Sequence, residues 1–227
     1  MEILQKMPVQ MDLDALLARV HVAKGSDDMK DVLELASSAL SVASPKVVYD
    51  ALFIEEKGPD TIRVGDTVFT SRVLRANLDT VERIFPYVAT CGRELDTIPL
   101  PAGDIVREFW LDAIKGMVLS VATGYFAGHL KKKYAVSKMS VMHPGSGDLE
   151  TWPIQQQQQL FSLFGDVETL IGVTLTDSHL MIPNKSVSGM YFATEVDFET
   201  CRICHREHCP SRQSPFDARL AERYQSM

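Results

Sequence analysis

The sequence has little positive charge and little sulfur. Its 227 residues carry 23 Lys and Arg against 30 Asp and Glu, a formal charge of −7. A net acidic surface argues against nucleic acid as the main partner, because gripping phosphates needs a basic face. The triplet Lys131–Lys132–Lys133 fits the end of a helix, where cations meet the negative pole of the dipole. The chain also lacks a long apolar run. The most apolar stretch, Gly116 to Gly128, lies between Lys115 and His129, well short of the roughly twenty residues a spanning helix needs. The opening MEILQKMPVQMDLD has no basic start followed by an apolar stretch, so no secretory signal is read there. These absences predict a cytoplasmic protein with no membrane partner. No internal repeat, no P-loop lysine, no H-E-x-x-H and no Ser/His/Asp order is found. Hydrophobic residues make up 45% and charged ones 23%, which excludes disorder and fits one globular domain or two small ones.

Helical spacing of apolar residues predicts helices over 11–23 and 27–43. The runs 47–56 and 61–69 read as two strands around the turn Lys57-Gly58-Pro59-Asp60. A short helix opens 77–92, and Ile84 to Thr90 reads as a buried strand ending at Cys91-Gly92. The strongest element is a long helix from about 102 to 134. Its expected apolar stripe includes Ile105, Val106, Phe109, Trp110, Ala113, Met117, Val121 and Phe126. Small residues at Gly116, Ala122, Gly124, Ala127 and Gly128 suggest close approach by another element. A strand near 137–142 leads to the loop His143-Pro144-Gly145-Ser146-Gly147-Asp148, and a helix follows Trp152-Pro153. Residues 171–193 read as strand, turn and strand, and 214–227 as a loosely held polar tail. The expected fold class is α+β, a mixed or antiparallel twisted sheet with a long central helix. The expected division is 1–200, with 1–45 its N-terminal helical part, followed by a cysteine segment and tail at 201–227.

The sulfur that is present is concentrated. Of four cysteines, Cys201, Cys204 and Cys209 fall within nine residues, with His205 and His208 between them. Thiolates are soft ligands, and a C-x2-C step lets two sulfurs reach one metal. The reading is an iron–sulfur cluster or zinc. Cys91, a histidine or a group outside the chain would complete the set. The alternatives are free thiols or a structural zinc. Pro144, Gly145, Ser146 and Gly147 follow a strand and precede a helix, a geometry able to turn backbone N–H groups toward a bound cofactor. Their glycines are equally well explained by a tight turn. His143 and His179 read as ordinary loop and strand histidines.

The segment PGSGDLETWPIQQQQQLFSLFG, followed by IGVTLTDSHLMIPNKSVSGMYF, resembles the activation domain of cobalamin-dependent methionine synthases. The family pattern G-x-x-L-T-x-S-x-x-M-x-P-x-x-S-V-S-G-x-Y-F is matched at Gly172, Leu175, Thr176, Ser178, Met181, Pro183, Ser186, Val187, Ser188, Gly189, Tyr191 and Phe192. The family's loop arginine and tyrosine fall at Val141 and Ser146. The resemblance implies a free-standing relative that assists reductive reactivation of a corrinoid methyltransferase. It implies S-adenosylmethionine as ligand and cobalamin carried only by a partner protein. No module for homocysteine, folate or cobalamin fits in the length. The alternatives are a non-catalytic module that binds a ligand or partner and holds a structural zinc, and an S-adenosylmethionine-binding methionine synthase component.

Overall fold

The computed structural model describes residues 1–147, 151–195, 198–209 and 212–225. Asp148, which the sequence reading places in the glycine loop, lies outside them. Strands β1 (Glu2–Leu4), β2 (Lys46–Tyr49), β3 (Leu52–Phe53), β7 (Arg83–Thr90), β8 (Met139–Met142) and β11 (Ser186–Ala193) form one antiparallel sheet. Its order is β1-β2-β7-β11-β8, with β3 also on β7. Strands β4 (Glu56–Lys57), β5 (Thr61–Val64) and β6 (Thr67–Thr70) make a second, small sheet, and β9 (Thr174–Leu175) pairs with β10 (Met181–Ile182). The architecture is α+β, as the sequence predicts.

Alternation along the strands divides the core into two faces, since successive side chains point to opposite sides of a sheet. Val48, Ile84, Val88, Met142, Met190 and Phe192 belong to one cluster. Val47, Tyr49, Phe85, Tyr87 and Ala89 belong to another. Helix α4 (Ile105–Tyr134) covers the second face through Ala122, Phe126 and Leu130. Its N-terminal half packs on α1 (Leu13–Arg19) and α2 (Asp27–Val42). The first face carries the small sheet and four short helices: α3 (Arg72–Asn77), α5 (Gln157–Ser162), α6 (Val167–Ile171) and α7 (Ala218–Gln225). Strand β7 is central and covered on both sides, which explains its continuous apolar run.

The helices stop and start on local chemistry. Asp12, Ser71, Asp104 and Asp166 accept N-cap hydrogen bonds at α1, α3, α4 and α6. Gly172 ends α6 in the left-handed region at φ 77°.

Five expectations need correction. The run 47–56 is not one strand: it breaks at Asp50–Ala51, opposite Pro86 in the shared register of β2 and β3 on β7. Pro86 accepts from the Asp50 N–H but has no N–H to return. The run 61–69 is a hairpin, because Gly65 supplies a positive φ of 57° at its turn. On α4, Ile105, Val106 and Phe109 are exposed, and the buried row is Ile114, Val118, Ala122, Phe126 and Leu130, four residues apart. Nothing lies within 4 Å of a Cβ placed at Gly124 or Gly128, so these glycines admit no close neighbour. The stretch 214–227 is not a loose tail over its described part, since α7 buries Ala221 against the core.

Candidate functional site

Strand β8 runs along the edge of the sheet beside β11, with Met142 opposite Met190. The glycine loop leaves it at His143. Pro144 is buried, Gly145 N–H donates to the Trp152 carbonyl at 2.8 Å, and Ser146 N–H donates to the His143 carbonyl at 3.1 Å. These two amides are directed inward and Pro144 has none. The glycines of the loop also pack closely on their neighbours. A Cβ on Gly145 would meet Ile154 at 3.0 Å, and one on Gly147 would meet Thr200 Cγ2 at 2.6 Å. Gly147 so brings the loop against the residue that precedes Cys201.

His143 is not a solvated loop residue. Its Nδ1 lies 2.9 Å from the Ser188 carbonyl, and its ring faces Tyr87 edge-on at 6.2 Å. Burial lowers its pKa, partly opposed by the hydrogen bond to Ser188. His179 is not in a strand. It sits in the turn between β9 and β10 at φ 61°, and its Nδ1 is buried without a hydrogen-bond partner among the described residues.

The cysteine segment starts in a 3-10 turn at Thr200–Arg202. Arg212 holds it through backbone carbonyls. Its guanidinium donates to Cys201 O at 2.8 Å, Cys204 O at 3.0 Å and Ser214 O at 3.2 Å, and also to Arg206 O. Cys201 Sγ accepts from Gln213 N–H at 3.5 Å, and Cys204 is buried. The His205 ring rests on Phe216 at 4.8 Å. Arg202 pairs with Asp217 at 2.7 Å and ties the segment to α7. Tyr224 of α7 packs on Phe198 and donates to Asn77 Oδ1 at 2.9 Å.

Cys91 lies elsewhere, buried among residues of α1, α2 and α4. Its N–H donates to the Lys185 carbonyl at 3.0 Å, and burial pushes its thiol pKa up to about 12. Among the described residues, no group of three or more His, Cys, Asp or Glu is placed to hold a metal. The thiols of Cys201, Cys204 and Cys209 are thus close in sequence without Cys91 beside them as a fourth ligand. Among the described residues no helix is long and apolar enough to cross a membrane.

A cleft of about 550 Å³ opens beside the cysteine segment. Asp60, Arg72, Val73, Ile203, His205 and Tyr224 are among the residues that line it. Sequence reasoning missed it. Its walls come from five separated stretches, and neither Asp60 nor Arg72 stands in a motif.

An antiparallel sheet backed by one long helix is a fold this chain shares with a methionine synthase reactivation domain. The crystal structure of the MetH reactivation domain bound to AdoHcy matches with a TM-score of 0.57, over 87% of this chain and 80% of that one, at 15% identity. In sequence, residues 120–207 match the family described as vitamin B12 dependent methionine synthase, activation domain. That span holds the second half of α4, the sheet edge, the glycine loop, Cys201 and Cys204. The resemblance to this family is therefore seen in both sequence and fold. No curated protein matches the chain.

Proposed function

We propose that this protein is a free-standing activation-domain relative that docks on a corrinoid-carrying methyltransferase and assists its reductive reactivation. The observation that carries the reading is the family match over 120–207, which falls on the sheet edge and its loop. The AdoHcy bound by the solved relative suggests S-adenosylmethionine as the methyl donor. Val141 stands where the family has its loop arginine, so the carboxylate of that donor lacks its usual guanidinium at this position. Titrating the protein into a corrinoid protein, with and without cobalamin loaded, tests the docking. A complex with the loaded form is expected. No complex with either form contradicts the reading.

The thiols carry the finer part. Zinc or an iron–sulfur centre at Cys201, Cys204 and Cys209 would need a ligand other than the buried Cys91. Metal analysis of anaerobically purified protein reads this directly. A stoichiometric metal lost in Cys204→Ser supports it, and metal-free, colourless protein leaves the thiols without that role. A non-catalytic ligand-binding module is the second reading, favoured by the cleft beside the segment.

A further inference from the structure

We propose that the cleft between the β5–β6 hairpin, the start of α3 and the C-terminal helix α7 binds a zwitterionic α-amino acid with an aliphatic or thioether side chain. Asp60 and Arg72 are brought together by backbone pairing. The Ser71 N–H donates to the Asp60 carbonyl at 2.8 Å, so the residue next to Ser71 stands beside Asp60. Both residues line the same cleft. Among the described residues, neither side chain makes an ion pair. Each charge is left for solvent or a ligand.

An α-amino acid carries an ammonium and a carboxylate on one carbon. An adjacent carboxylate and guanidinium complement that pair, the guanidinium through two parallel N–H···O bonds. Val73, Ile203 and Ala221 supply an apolar wall, and Tyr224 adds a ring. The cleft, at about 550 Å³, falls in the size range of small-molecule sites. A nucleotide or phosphorylated ligand suits it less, because Asp60 would face the phosphate beside a single arginine. The site does not use Pro144–Gly147, and it is independent of the corrinoid reading.

Calorimetry with L-methionine as probe tests this. Saturable binding is expected. L-Methionine methyl ester, lacking the carboxylate, and 4-methylthiobutanoate, lacking the ammonium, are each expected to bind about tenfold weaker or less. Arg72→Gln should erase the preference over the ester, and Asp60→Asn the preference over the deaminated acid. Both variants should melt as wild type does, because neither side chain has a structural partner. Three results overturn the proposal: no heat with millimolar L-methionine or L-leucine; analogues that bind as well as methionine; or variants with unchanged preferences. None of these outcomes bears on docking to a corrinoid protein, which is read on the partner.

Discussion

Arg212 organises the cysteine segment through main-chain acceptors rather than through sulfur. Its guanidinium reaches the carbonyls of Cys201 and Cys204 from a position outside the C-x2-C step. Arg212→Gln removes these charge-assisted bonds and should loosen the segment by about 1–3 kcal/mol. The readout is labelling of the buried Cys204 by a thiol reagent, which should quicken well above the wild-type rate. An unchanged rate would mean that something else holds the loop. His143 gives a pH dependence. Its native pKa is lowered by burial, so the unfolded chain binds the proton first as pH falls. Stability should be full above the unfolded value of about 6.5 and decline as pH drops from there toward the native pKa. His143→Gln should flatten that part of the melting-temperature profile. At this scale the thiols were legible in the sequence because three of them are neighbours. Asp60, Arg72 and Tyr224 were not, because only folding brings positions so far apart into one cleft.

Glycines separate the elements that touch from those that do not. A Cβ at Gly189 on β11 would meet the Met142 carbonyl at 2.5 Å and His143 Nδ1 at 2.7 Å. Gly189→Ala should therefore push β8 from β11 and cost about 2–4 kcal/mol, visible as a lowered denaturation midpoint. Gly124→Ala on α4 meets nothing within 4 Å. It should instead stabilise by roughly 0.5–1 kcal/mol, the helix preference of alanine over glycine. Equal effects from the two would contradict the packing described. The long helix, α2 and the β7 and β11 strands were legible from periodicity and apolar runs. The split of β2 from β3 was not, because its cause is Pro86 on the neighbouring strand. The α4 stripe was misplaced at its first turns. The apolar residues there, Ile105, Val106 and Phe109, are exposed, and periodicity alone does not tell a covered face from an open one.

The molecule as a whole is a sheet with α1, α2 and α4 on one face and a smaller sheet with short helices on the other. The fold class was readable because the matched pattern from Gly172 to Phe192 covers β9, β10 and β11, the strands that lead into the sheet's centre. The C-terminal helix was hidden by its polar composition. Ala221, Leu220 and Tyr224 reach the core, and they do so across α3 and Phe198. At this scale the proposal is that the fold serves a corrinoid partner. The direct measurement is the rate at which a corrinoid methyltransferase, poised as cob(II)alamin with reductant and S-adenosylmethionine, returns to methylcobalamin. Adding this protein should raise that rate in proportion to the complex formed. The same rate with and without it, at saturating protein, would contradict the account.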